Sequence, residues 1–307
     1  MKYGRQAGLT LIELMLGMML SLIVLLSLTF FLLGSKANYR LQDQSAQIQE
    51  TGRYAIDVLS KSIRQAGYVN WNEWHAPVVL ADDAEPSILG MDARTLRKTT
   101  PALEAVSAGV VNGSDVLALR FFGTNAQPDG AMLNCAGFAA AAPVAGNEAE
   151  DQRSWSIFFV ARDASGEPEL RCKYRTQNGW NADAIARGIE SFQVLYGLDI
   201  QGTGTNQFMN ADAINQLDAG SQGQASHWKK VRVVRVSLLV SGAQKMREDA
   251  LVQQHDLFGA AYSDQHGADD PGVRIVDSGL PAASRNRVRI VFTQTIQLRN
   301  ASAWSAI

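Results

Sequence analysis

GRQAGLTLIELMLGMMLSLIVLLSLTFFLL, residues 4–33, is the stretch whose reading decides the architecture. Lys2 and Arg5 make its lead basic, a glycine follows, and an apolar run extends from Leu9 to Leu33 with one charge inside it, Glu13. At about 1.5 Å rise per residue, a helix of that length covers the ~30 Å hydrocarbon core of a bilayer. The chain therefore reads as inserted in a membrane at least once. A carboxylate in such a run costs about 2.5–3.5 kcal/mol at the bilayer centre and less near an interface, so Glu13 asks for a partner.

Were the chain cut after Gly8, Glu13 would lie about one turn inside the new end. The new α-amino group at Leu9 would then be in reach of Glu13 from a neighbouring copy. One carboxylate per subunit meeting one terminal amine per subunit is an assembly device. The string GLTLIELM, residues 8–15, with Lys2 and Arg5 ahead of it, resembles the class III signal of type IV prepilins. The resemblance implies cleavage between Gly8 and Leu9 by a prepilin peptidase, N-methylation of Leu9, and subunit assembly through Glu13 and its neighbour Thr10. Two other readings compete: an ordinary N-terminal anchor with an incidental Glu13, and a secretory signal peptide cut at Ser35-Lys36-Ala37. A secretory h-region spans only ~7–15 residues, much less than this run. Lys2 and Arg5 before the span are matched by Lys36 and Arg40 after it, so the positive-inside rule gives no orientation.

The 307 residues suffice for one large or two modest domains, with ample length beyond the helix for a real core. Net charge is -2 and no basic patch stands out, which argues against nucleic acid as a partner. The two cysteines, Cys135 and Cys172, lie well beyond the apolar run. In an extracytoplasmic domain such a pair is most simply a disulfide, with two buried thiols as the alternative; their spacing excludes a CxxC redox or zinc motif.

No proline occurs before Pro77, so the helix is expected to continue out of the membrane. Ile48, Ala55, Ile56, Leu59, Ile63 and Ala66 recur at three- and four-residue steps among polar residues. That is an amphipathic face, expected to lie against a globular head. Residues 52–70, GRYAIDVLSKSIRQAGYVN, resemble the end of the N-terminal helix in PilW-type minor pilins, which runs into an R-x-A-G-[YF] turn. PilW-type sequences often carry a cysteine shortly after that turn. Val69-Asn70-Trp71 stand here instead, so a disulfide using that position is absent or rewired. Residues 71–113 are Pro/Asp/Ala-rich and read as long surface connections. Strand-like runs follow at 112–123, 155–162, 169–175, 231–242 and 287–300, with a hairpin expected across Ala164-Ser165-Gly166. The blocks at 185–199, 231–242 and 287–300 also resemble PilW-type segments, in the family's order. Residues 200–227 hold no Lys or Arg and read as a long exposed loop with at most one helical turn near Ala211–Leu217. Residues 255–286 read as a second exposed loop, the more ordered of the two.

Nothing in the chain makes a catalytic set. His75, His227, His255 and His266 have no ligand spacing, and neither a P-loop nor a G-x-S-x-G elbow occurs. Asp199 opens a weak calcium-loop pattern in which Gln201 and Thr203 replace carboxylates. His266, Asp264, Asp269 and Asp270 cluster more suggestively, though a solvated acidic turn explains them better.

The expected fold class is α+β and pilin-like: a long N-terminal helix, half transmembrane and half amphipathic, packed on an antiparallel sheet head. Its segments are a leader at 1–8, a transmembrane and assembly helix at 9–33, an amphipathic continuation at 34–68 and a periplasmic head at 69–307. The resemblance implies a minor pilin that helps initiate a type IV pilus and is incorporated into it, at the tip. Its expected partners are other minor pilins, the major pilin, the prepilin peptidase, the inner membrane and a tip adhesin. No enzyme activity, cofactor, metal or nucleic acid is expected. The alternatives are a minor pseudopilin of a type II secretion system and a membrane-anchored periplasmic binding protein.

Overall fold

The computed structural model describes residues 8, 10–69, 85–106, 108–124, 132–140, 153–176, 178–200, 202, 204–205, 207–220, 226–245 and 252–300. Two units partition the chain, Met1–Ala46 and Gln47–Ile307. A single 55-residue helix, α1 (Leu11–Gln65), begins in the first and ends in the second.

In the first unit, every Leu, Ile, Val, Met and Phe from Leu11 to Leu33 is 49–78% exposed. A continuous apolar surface on that scale is a membrane or subunit contact rather than a water-facing one. The hydroxyls in this span are already satisfied. Ser21, Ser27 and Thr29 donate to the carbonyls of Gly17, Ile23 and Leu25, one turn back, at 2.8–2.9 Å. They therefore bring no unmet hydrogen bond into an apolar medium.

In the second unit, the stripe of Ile48, Ala55, Ile56, Leu59, Ile63 and Ala66 is buried, as its three- and four-residue spacing requires of one helix face. Gly67 takes φ +71°, a left-handed conformation suited to a helix end. Asn300, from the far end of the chain, donates its Nδ2 to the carbonyls of Arg64 and Ala66. It thereby satisfies groups that a helix C-terminus leaves open.

The strands are β1 (Ile88–Met91), β2 (Thr95–Leu96), β3 (Ala105–Val106), β4 (Val116–Phe121), β5 (Ser154–Arg162), β6 (Pro168–Thr176), β7 (Gly179–Arg187), β8 (Ile189–Leu198) and β9 (Gln207–Met209). Helix α2 (Ala211–Gly220), β10 (Val231–Lys245), β11 (Gln254–Asp256), helix α3 (Ala260–His266), β12 (Arg274–Val276) and β13 (Arg287–Gln297) follow. One antiparallel sheet has the order β1-β4-β5-β6-β7 and a second the order β13-β10-β8-β9. The buried stripe of α1 shares one apolar core with Leu117 and Leu119 of β4, Phe158 of β5, Tyr196 of β8 and Val234 of β10. Between β7 and β8 the chain changes sheets at a single residue, Gly188, with φ +76°. A Cβ there would sit 2.7 Å from the carbonyl of Ser241, so only glycine fits this crossover.

Three sequence expectations need correction. Residues 71–113 are not only surface connection: β1, β2 and β3 fall within 85–106, and Ile88 and Leu96 are buried. Residues 70–84 lie outside the described residues. In 200–227, β9 and the ten-residue α2 replace a loop with one turn, and Ala211 and Ile214 of α2 are buried in the core; residues 201, 203, 206 and 221–225 lie outside the described residues. In 255–286, β11 pairs with β12, and Leu257, Ile275 and Leu280 pack with Leu239 in a small core of their own. In both places the apolar residues are too sparse to show a period, and what buries them lies outside the segment itself, as Leu239 does for Leu257, Ile275 and Leu280.

Cys135 and Cys172 are joined by a disulfide with a Cα–Cα distance of 6.0 Å. Cys172 is on β6, and Cys135 lies in a short ordered segment where Leu133 bridges Ala139 and Asn134 Oδ1 accepts from Ala136 N and Phe138 N. The bond spans 37 residues, and chain-entropy estimates for a loop of that size give about 3–4 kcal/mol. Replacing both cysteines with serine should lower the denaturation midpoint accordingly; a loss under about 1 kcal/mol in urea titrations would contradict this role.

Candidate functional site

The residues singled out at the start of the chain form a local hydrogen-bonded box. Thr10 is the residue before α1, and Glu13 occupies the helix's first turn. Glu13 Oε2 accepts from both Thr10 N and Thr10 Oγ1 at 2.9 Å. Glu13 N donates back to Thr10 Oγ1 at 3.4 Å. This is the reciprocal capping box, in which a Thr and a Glu three residues on satisfy each other's backbone donors. The carboxylate also lies against the positive end of the helix dipole. Both bonds from Thr10 fall on Oε2, so Oε1 is the oxygen through which a further donor could be accepted. Gly8 is exposed, and Leu9 lies outside the described residues. The pattern T-x-x-E was visible in the sequence as a helix-start signature, and it makes Thr10 a partner of Glu13 rather than a bystander.

The other marked residues lie in the second unit. Among the described residues, no three His, Cys, Asp or Glu side chains converge to hold a metal ion. Asp264 pairs with Arg274 at 2.6 Å, and Asp270 is buried, accepting from Tyr262 at 2.9 Å. The His266 cluster is held through its backbone, Asp269 N and Asp270 N donating to His266 O at 3.0 and 2.8 Å, while its side chains form no metal-ligand set among the described residues. Asp199 Oδ1 accepts from Gly204 N at 3.2 Å; Gln201 and Thr203 lie outside the described residues. His227 is held by Asp218 at 2.6 Å, His255 lies 3.4 Å from Asp277, and His266 packs on Tyr262; His75 lies outside the described residues.

Sequence reasoning missed a buried acidic cluster that ties the head together. Asp115, just before β4, accepts from Ala93 N and from Val194 N on β8. Asp92, after β1, accepts from Ala211 N and Asp212 N and so caps α2 from 119 residues away. Burial pushes the carboxyl of Asp92 up to about 7, with the Asp270 and Asp212 carboxylates adding to the effect. Burial likewise raises Asp115, reinforced by Asp92 and Asp270, and raises Asp270. Folded-state values above the unfolded ones mean that the folded head binds protons more tightly. For Asp92 the corresponding stability is fully present below about pH 4 and is lost as pH rises through about 7. The head should therefore unfold at lower denaturant near pH 8 than near pH 5.5, with Asp92→Asn flattening that slope. Equal midpoints at the two values in the wild-type chain would count against this.

Comparison with known proteins follows the same division of the chain. Residues 3–29 match the family model described as Prokaryotic N-terminal methylation motif, and residues 157–300 match Type IV Pilus-assembly protein W. Among solved structures, a type IV-like pilin from Thermus thermophilus is 16% identical, over 85% of this chain and 98% of that one, with a TM-score of 0.35. No curated protein matches the chain.

Proposed function

From the premise that this chain is a PilW-type type IV pilin, with a methylation signal at its start and a PilW head at its end, we propose that it is a minor pilin. In this reading it helps initiate a type IV pilus and is then incorporated at the tip. The observation that carries the reading is the Thr10–Glu13 box at the head of an exposed apolar helix, directly after Gly8.

Before assembly, α1 holds the subunit in the inner membrane with the head in the periplasm, and Thr10 engages Glu13 Oε2. Cleavage between Gly8 and Leu9 places a methylated amine one residue before the box. On assembly, the apolar helix moves from lipid into a bundle of like helices, where lipid is replaced by side chains of similar polarity. There Glu13 accepts the terminal amine of a neighbour, which sets the register between subunits. The partners are other minor pilins, the major pilin and the prepilin peptidase, with a tip adhesin above. The head, with two sheets and several covering segments, suits a special position better than a repeating one in a closely packed shaft.

The deciding experiment is intact mass and N-terminal sequencing of protein recovered from native membranes. A chain starting at methylated Leu9 supports the reading. A start at Met1 leaves an ordinary anchor, and a start at Asn38 a secreted protein; either result overturns it.

A further inference from the structure

The second unit carries a wide groove walled by the outward face of α1, the disulfide-held segment 132–137 and the outer strand β7, with Arg299 and Asn300 at one end. We propose that this groove receives an extended, acidic segment of another subunit, an inference that rests on the pilin reading above.

Three observations converge on that occupant. First, β7 is the terminal strand of its sheet, paired with β6 on one side only among the described residues. An open strand edge offers a row of unpaired backbone donors and acceptors to an incoming extended chain. The sequence of β7, GWNADAIAR, contains no Pro or Lys, the residues that commonly block such edges. Asp183 and Ala184 at its middle are exposed. A register shift between Leu170 and Arg171 puts Ile185 out of alternation and into the groove wall, so strand addition is confined to Gly179–Ala184.

Second, the groove has an apolar lining that water covers at a cost. Tyr54 is 54% exposed and Leu133 43%, and Val58, Tyr68 and Ile185 complete that surface. The wall opposite the helix is fixed, because Cys135 is bonded to buried Cys172.

Third, the charges are unbalanced in one sense. Lys61 is engaged by Asp57 at 2.7 Å, and Asp183 accepts from Tyr174 at 2.5 Å. Arg64 and Arg299 both line the groove and are exposed, and neither is ion-paired to a carboxylate among the described residues. Guanidinium groups bind carboxylates through paired hydrogen bonds, so Asp or Glu in the incoming segment answers them. A lipid headgroup would answer the charge but not the strand edge.

The test uses the full-length chain in its native membrane, with a photo-crosslinking amino acid in place of Ala184. The expected result is an adduct to another pilin subunit through a peptide that contains Asp or Glu. Arg64→Glu combined with Arg299→Glu should abolish that adduct while the Cys135–Cys172 bond still forms, which shows that the head has folded. An adduct undiminished in the double variant, or an adduct to lipid only, overturns the proposal. So does the absence of an adduct in cells whose filaments contain the chain with methylated Leu9. A chain that retains Met1 and stays out of filaments overturns the pilin reading and this inference together.

Discussion

Glu13→Ala is expected to leave the chain in the membrane and remove it from filaments. The substitution deletes the partner of Thr10 N and Thr10 Oγ1, a cap of the kind worth about 1 kcal/mol, so α1 frays slightly at its first turn. Insertion does not suffer, since deleting a carboxylate from an apolar span removes a cost of up to about 2.5–3.5 kcal/mol. What is lost, on the proposed reading, is the group that would accept a neighbour's terminal amine, in surroundings where an unpaired ammonium is most expensive. The measurement is the ratio of the chain in sheared filaments to the chain in membranes. Glu13→Gln separates the two roles of the side chain: it keeps an acceptor for Thr10 but carries no charge. It should restore the helix start and still fail to assemble. Wild-type incorporation of either variant would sink the account of Glu13 as the registering group.

Glu190→Ala should be the most damaging single change in the head. Arg289 on β13 is fully buried, and Glu190 on β8 is 2% exposed. Nε and Nη2 of Arg289 donate to the two oxygens of Glu190 at 2.5 and 3.1 Å. Nη1 reaches Asp277 at 3.3 Å and the carbonyl of Arg287, and Nη2 also donates to the carbonyl of Ser284. Removing Glu190 leaves a guanidinium in the interior with one distant carboxylate and backbone carbonyls, and breaking such a pair typically costs about 3–5 kcal/mol. Replacing both partners with Met should cost much less, because no buried charge is then stranded. Denaturant titration of the wild type, both single variants and the double variant measures the coupling. A loss below about 1 kcal/mol for Glu190→Ala would show that Asp277 and the carbonyls suffice for Arg289.

Several elements were legible because their causes are local. The buried stripe of α1 announces itself by its spacing, and the end of the helix by Gly67. The hairpin of β5 and β6 turns at 163–167, around the Ala164-Ser165-Gly166 turn, with Val160 opposite Leu170. Strands β10 and β13 pair over most of their length, as their alternation allows. The T-x-x-E box is equally local, a Thr and a Glu one turn apart. By contrast, α2 starts where Asp92, 119 residues away, caps it, and no nearby residue hints at this. The block at 185–199 looks like one run in the sequence, yet Gly188 sends its two parts into different sheets. The segment 255–286 looks exposed because its few apolar residues find their partner, Leu239, outside the segment, on β10.

By itself, then, the sequence determined the membrane-length helix, its start box, the amphipathic face that follows and the strand-forming character of the head. Each of these depends on side chains within about one or two turns or strand steps of one another, where periodicity and capping chemistry act. Only the tertiary structure decided which strand joins which sheet, that Asp92, Asp115 and Asp270 are drawn into one buried cluster, that Glu190 meets Arg289, and that β7 is left as an edge beside a groove. Those outcomes depend on groups brought together across scores of residues, and the burial that gives a carboxylate or a strand edge its energetic weight exists only after the chain has packed.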